Sequence, residues 1–347
     1  MSLRDEIGEQ PQVAARLLDG QRAAIDEIAR SLSTRRISGV MIAARGTSDH
    51  AAIYAQYLFG AFHALPVALA TPALFSVYHR PPRLADWLVI GISQSGASPD
   101  VVAVIDSARK DGSATLAITN VPDSDLGHAA DWVVDLSAGP ERAVAATKTY
   151  TSELLAIAML SCAMDPADGQ ARAEALAGVP GAIDAALRAE PDVEAAAATR
   201  GGMDQCVVLG RGYEYATARE WALKLKELAQ IGADPYSAAD FQHGPLALVE
   251  PGYPVLAVAT RGPTLPGMTE LLRRLREKHG VDLLLLSNDA ETRALGTASI
   301  PVPESLPDWL TPIASIVPGQ LFAYHATRAK GLDPDQPRWI SKVTLTR

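Results

Sequence analysis

The sequence predicts an α/β protein of two tandem, doubly wound domains with parallel sheets, preceded by an N-terminal helix and closed by a C-terminal tail. Three observations carry this. Short apolar runs alternate with longer helical stretches, the rhythm of strand–helix–strand units. The landmarks of that rhythm recur once along the chain. The length of 347 residues suits about two domains of ordinary size, each able to bury a core.

The elements follow in order. Val13, Leu17, Leu18, Ala24, Ile25, Ile28 and Leu32 fall at helical spacing and predict an amphipathic leader helix, within residues 1–34, that packs on the first domain. The first domain, 35–170, reads as strand Gly39 to Ala44 and helix Asp49 to Phe62, then strand Trp87 to Ser93 and helix Pro99 to Lys110. Strands from Ala114 to Val121 and Trp132 to Leu136 follow, then a helix from Ala145 to Ala163. The Ala-rich stretch through 171–200, with Pro180 and Pro191 as breakers, reads as a helical connector. The second domain, 201–330, repeats the first: Arg211-Gly212 follows strand Cys206 to Gly210 as Arg45-Gly46 follows Ala44. Ser93 stands 47 residues after Gly46 and Thr260 stands 48 after Gly212; Asn120 and Asn288 stand 74 and 76 after the same glycines. Three landmarks in step argue for duplication. Residues 331–347 form the tail.

Composition narrows the function. Hydrophobic residues make 48% and charged residues 20% of the chain, which is globular composition. The net charge of −9, with no basic stripe interleaved with aromatics, argues against a nucleic-acid partner. Cys162 and Cys206 are single and distant, so neither a disulfide framework nor a cysteine metal site is expected, and a reducing cytoplasm fits best. No signal-peptide core and no run of about 18 apolar residues is present, so neither export nor a membrane span is expected.

In doubly wound sheets ligands bind beyond the carboxyl ends of the strands. There the first copy reads Ser93-Gln94-Ser95-Gly96-Ala97-Ser98-Pro99-Asp100. Three hydroxyls, an amide and the free N–H groups of a helix start suit a phosphate. The same residues also suit a plain turn in which Ser98 only caps the helix. The second copy, Thr260-Arg261-Gly262-Pro263-Thr264, lacks the serines, so one phosphate site per chain is expected. Ser48, after Gly46-Thr47, reads equally as a binding hydroxyl or a cap. On the helix from Ala216 to Gln230, Trp221, Leu225 and Leu228 line one face and Glu220, Lys224 and Glu227 the next, which by default is a solvated charged face. His243 sits in a Gly-Pro turn, and Asp335-Gln336-Pro337-Arg338 with Lys342 makes a polar tail that reads equally as an exposed end.

Taken together, Ala44-Arg45-Gly46-Thr47-Ser48, Ser93-Gln94-Ser95-Gly96, Ala145-Ala146-Thr147-Lys148, Ala222-Leu223-Lys224-Leu225-Lys226-Glu227, His243-Gly244-Pro245-Leu246-Ala247-Leu248 and Asp335-Gln336-Pro337-Arg338 resemble one family. It is the isomerase half of glutamine:fructose-6-phosphate amidotransferase, a pair of sugar-isomerase (SIS) domains. The resemblance runs nearly the whole chain, and the lysine–glutamate helix, His-Gly-Pro turn and lysine tail mark its amino-sugar branch. It implies that Ser93, Gln94, Ser95 and Ser98 hold a sugar phosphate while Thr47, Ser48 and Val144 line the sugar. It implies Glu227 as the base moving a proton between carbon-1 and carbon-2, Lys342 as the Schiff-base lysine and Lys224 as its assistant. His243 matches the ring-opening residue that reaches the partner subunit's site, so a homodimer is implied.

Those residue types suit aldose–ketose chemistry, in which a carboxylate moves a carbon-bound proton and a partly desolvated lysine attacks a carbonyl; no metal and no cofactor is called for. Arg45 replaces the family's usual Cys and Ala97 its frequent acidic residue. The family's glutaminase domain has no counterpart here, with Met1 standing where the isomerase half begins. The expected reaction is therefore glucosamine-6-phosphate and water to fructose-6-phosphate and ammonia. The alternatives are a fructosamine-6-phosphate deglycase, against which the Asp335-Gln336-Pro337-Arg338 tail and the lysine–glutamate helix argue, and a non-catalytic SIS sugar-phosphate sensor. Such sensors carry a DNA-binding domain for which the residues before the first strand are too few.

Overall fold

The structure, a computed structural model, describes residues 2–342. Helix α1 (Leu3–Gly8) opens on a reciprocal cap in which Ser2 Oγ accepts the Asp5 N–H and Asp5 Oδ2 accepts the Ser2 N–H. The leader helix α2 (Gln10–Ser33) starts earlier than its apolar spacing required. The first sheet region contains β1 (Gly39–Ala43), α3 (Thr47–His63), β2 (Val67–Leu69), α4 (Ala73–Ser76), β3 (Trp87–Ile92) and α5 (Pro99–Lys110). It continues through β4 (Ala114–Thr119), α6 (Asp125–Ala129), β5 (Trp132–Asp135) and α7 (Lys148–Ala163). The connector forms α8 (Gly169–Leu176), α9 (Val179–Leu187) and α10 (Glu190–Arg200). Pro180 and Pro191 stand in the first turns of α9 and α10, so they start helices rather than break them.

The second region runs β6 (Gln205–Gly210), α11 (Glu214–Ala229), β7 (Gly232–Ser237), α12 (Ala238–Phe241), a 3-10 turn (Pro245–Leu248) and β8 (Pro254–Val258). Then come α13 (Leu265–His279), β9 (Asp282–Ser287), α14 (Ala290–Arg293), β10 (Ala298–Pro301) and α15 (Thr311–Ala329). The sheets are ordered β2-β1-β3-β4-β5 and β7-β6-β8-β9-β10, parallel throughout. Identical order in both sheets bears out the duplicated, doubly wound fold. The sequence pattern missed β2, β7 and β10. All three are edge strands: β2 is short and only half-buried, β7 reads Gly-Ala-Asp-Pro-Tyr-Ser and β10 reads Ala-Ser-Ile-Pro, so hydrogen bonding to β1, β6 and β9 rather than an apolar run defines them.

The described residues form two compact units that are discontinuous in sequence. One comprises 12–141, 148–177 and 341–342, with the first sheet; the other comprises 2–11, 142–147 and 178–340, with the second. In the first, Met41, Ala43, Val89 and Ala117 pack on Val101, Val104 and Ile105 of α5. In the second, Val207, Leu209, Val255, Ala257, Leu283 and Leu285 pack on Met268, Leu271, Leu272 and Leu275 of α13. The intervening strand residues are buried too, as expected of a parallel sheet covered on both faces.

Candidate active site

The first sheet changes winding direction between β1 and β3, and the loops leaving those strands stand at the carboxyl ends, where doubly wound sheets take their ligands. In the loop after β3, Ser93 Oγ accepts the Gly96 N–H at 3.2 Å and Ser95 Oγ accepts the Ala97 N–H at 3.3 Å. Gly96 has φ +64°, and a Cβ there would stand 1.9 Å from Ser124 Oγ, so conformation and space both demand glycine. Ser98 holds the N-cap position of α5, but its hydroxyl makes no cap bond and lies 3.4 Å from Ser93 Oγ. The plain capping reading therefore fails, and Pro99 at the helix start contributes no N–H of its own. Gln94, Ser95 and Ser98 are half-buried and Ser93 is buried.

At the end of β1, α3 starts at Thr47 after Gly46, and Ser48 is not its cap: its hydroxyl donates to Glu153 Oε1 on α7 at 2.7 Å, both groups buried. Arg45, noted in the sequence only as a departure, bonds Asp100 in the first turn of α5, with Nε and Nη2 at 2.7 and 2.6 Å from the same Oδ2.

The corresponding place in the second unit is filled. Glu214 opens α11 two residues after Gly212, the place Ser48 takes after Gly46. Its carboxyl takes hydrogen bonds from Thr217 (2.5 Å), Ser315 (2.7 Å), Thr311 (2.8 Å) and Thr260 (3.1 Å), and Thr260 is the counterpart of Ser93. Burial pushes the Glu214 carboxyl above its ordinary value, outweighing the four hydroxyls that favour the anion. Because the folded state then holds this proton more tightly than the unfolded chain, its contribution to stability is present at low pH and is lost as pH rises from about 4.5 through the raised value. The melting temperature of wild type relative to Glu214→Gln is expected to fall as pH rises above about 4.5; a pH-independent difference would rule this out.

Helix α11 presents the second group of expected residues. Trp221, Leu225 and Leu228 are buried, Trp221 meeting Phe322 of α15 edge-on with ring centres 5.7 Å apart, while Gly319 leaves room for the indole. The adjoining face is not solvated. Glu220 and Lys224 are fully buried, and Lys224 Nζ lies 2.5 Å from Glu227 Oε2 and 3.4 Å from Glu220 Oε1. Burial by itself lowers the Lys224 pKa, but attraction to the two carboxylates outweighs it and holds the ammonium above the ordinary lysine range. Lys224 is thus a fixed cation, not an amine. The Glu227 side chain keeps 24% exposure, open for a reactant.

Val144 is half-buried in the segment 142–147 of the same unit. Glu6 accepts the N–H groups of Arg142 (2.5 Å) and Ala143 (3.2 Å), and Gln320, bonded to Gln10, donates to Thr147 O. His243 lies in an exposed turn after α12; among the described residues its imidazole makes no hydrogen bond or ion pair. The tail is tied down rather than free: Asp335 accepts the Leu3 N–H at 2.6 Å and Arg338 donates to Gln230. Within the first-sheet unit Lys342 Nζ donates to Glu141 Oε2 at 2.6 Å. Glu141 is buried and also accepts from the Thr149 backbone and hydroxyl. Sequence reasoning missed Glu141, Asp100 and Glu214; only Glu214 had a readable signal, its offset from Gly212.

Comparison with known proteins places this geometry. The SIS domain matches residues 35–163 and 203–329. Glutamine–fructose-6-phosphate aminotransferase (isomerizing) of Symbiobacterium thermophilum is 33% identical over 97% of this chain, which spans 58% of that relative's length. A candidate phosphosugar isomerase from Silicibacter pomeroyi DSS-3 is 33% identical, with a TM-score of 0.86 over 96% of this chain and 100% of its own. The C-terminal domain of glucosamine-fructose-6-phosphate aminotransferase from Francisella tularensis is 26% identical, with a TM-score of 0.88 over 96% of this chain and 98% of its own. With an SIS domain matched in each half and a relative covered from end to end, the chain belongs to the SIS domain family.

Proposed function

We propose that this protein is a phosphosugar isomerase that acts as an amino-sugar phosphate deaminase, converting glucosamine-6-phosphate and water to fructose-6-phosphate and ammonia. The observation that carries this reading is the α11 group: a partly exposed carboxylate, Glu227, hydrogen-bonded to a buried, permanently charged Lys224. In this reading the buried cation holds in place the one carboxylate of the group that stays open to a reactant.

The phosphate is held by Ser93, Gln94, Ser95, Ser98 and the start of α5, while Thr47, Ser48 and Val144 line the sugar. The corresponding place in the second unit, taken by Glu214, supports a single phosphate site per chain. After ring opening, Glu227 takes the carbon-2 proton and returns it to carbon-1, and the aldehyde oxygen gains the proton that the carbon-2 amine gives up, leaving a carbon-1 hydroxyl and a carbon-2 ketimine. The Lys224 ammonium stabilises the negative charge that develops between these steps. Lys342, in its amine form, adds to carbon-2; ammonia leaves and a lysine Schiff base remains. Water cleaves that bond, releasing fructose-6-phosphate and the lysine. His243 opens the ring in the other copy of a homodimer, a role its exposed turn supports.

Cys162 and Cys206 are buried, and burial pushes their thiols up to about 11 and about 12, so neither of them is a ready nucleophile. Purified protein given glucosamine-6-phosphate is expected to release ammonia and fructose-6-phosphate in equal amounts, and to ignore glutamine. Product formation that requires glutamine, or release of an amino acid from fructosamine-6-phosphates in preference, would overturn the assignment.

A further inference from the structure

Asp100 is 2% exposed and stands in the first turn of α5, two residues beyond Ser98. A carboxylate there already satisfies the positive end of the helix and so competes with any other anion at that end. Its Oδ1 accepts the Val101 N–H at 2.9 Å and its Oδ2 takes both Arg45 contacts, so the local charge of the pair is zero. Arg45 reaches it from the loop after β1, across the point where the sheet changes winding direction, and its side chain keeps 49% exposure. In the second unit the matching place is taken by the Glu214 carboxyl with its hydroxyl donors, and no serine loop follows the strand there.

We propose that Arg45 is a positioning and charge-compensating residue for the phosphate: by neutralising Asp100 it lets the start of α5 accept a phosphate dianion. This rests on the reading of the Ser93–Ser98 loop as the phosphate site. Without Arg45, the Asp100 carboxylate, buried and so poorly screened by solvent, repels the incoming phosphate. Arg45 acts on binding and leaves the proton transfer alone.

The test measures dissociation constants for fructose-6-phosphate by calorimetry, with turnover of glucosamine-6-phosphate in parallel. Arg45→Ala is expected to weaken binding about tenfold or more, with saturated turnover within about threefold of wild type. Adding Asp100→Asn to that variant is expected to restore affinity to within about threefold of wild type, a rescue that a merely structural role would not give. Unchanged affinity in Arg45→Ala, or a double variant as weak as Arg45→Ala, would overturn the proposal. Should Arg45→Ala fail to fold, Asp100→Asn alone decides: binding at least as tight as wild type supports charge compensation, and weaker binding refutes it. Ser95→Ala separates this from the underlying reading. If it leaves affinity unchanged, the loop is not the phosphate site; if it weakens affinity about tenfold while Arg45→Ala does not, only the role of Arg45 falls.

Discussion

Glu227→Gln is expected to lower turnover about 100-fold or more while fructose-6-phosphate still binds within a few-fold of wild type. Glutamine keeps the length and planar end of glutamate and can still accept from Lys224, so the substitution removes the base and little else. The fold should tolerate it, because Lys224 retains Glu220 at 3.4 Å as a carboxylate partner and is not left as an unpaired buried charge. Glu220 does not replace the lost base, being fully buried where Glu227 is partly exposed. The decisive readout is solvent exchange at carbon-1 of fructose-6-phosphate, which reports proton transfer without requiring ammonia. Exchange at wild-type rate in Glu227→Gln would remove Glu227 from the reaction and leave the α11 charges as structural.

Lys342→Ala is expected to abolish covalent labelling when borohydride is added with fructose-6-phosphate, and to lower deamination about 100-fold or more. Since Lys342 is also ion-paired with Glu141 at 2.6 Å, loss of activity in the alanine variant could reflect loss of that tether. Lys342→Arg distinguishes the two. Arginine keeps the cation opposite Glu141 but stays protonated and cannot add to a carbonyl. Both variants should lack the label and both should be slow; activity near wild type in Lys342→Arg would show that the pair, not the amine, matters. Labelling that persists in either variant would assign the Schiff base to another lysine. Lys224 is a poor substitute, since two carboxylates hold it protonated.

Much of this molecule was legible in the chain. Strands β1, β3, β4, β6, β8 and β9 are runs of apolar residues buried on both faces, and such runs need no tertiary information to be seen. The serine loop was legible for a similar reason, since a hydroxyl cluster between a strand and a Pro-started helix is a local pattern. Its function as a turn or as a binding loop was not: the Ser98 hydroxyl faces Ser93 instead of capping α5, and that choice depends on the fold of the whole loop. The face of α11 shows the limit best. Spacing alone groups Glu220, Lys224 and Glu227 and suggests a solvated stripe, whereas α15 and the surrounding unit bury two of the three.

The sequence by itself determined the α/β class, the duplication, the family and the residue types from which a phosphosugar site would be built, because periodicity and motif spacing are properties of neighbouring residues. Tertiary structure alone decided which charges are paired. Asp100 lies 55 residues from Arg45 in sequence, Glu141 lies 201 from Lys342, and Glu214 lies 97 and 101 from Thr311 and Ser315. A carboxylate looks the same in a sequence whether it ends beside a cation, in a nest of hydroxyls or in water. Its charge state, and so its use, is set by burial and by partners that only the folded chain brings within hydrogen-bond distance.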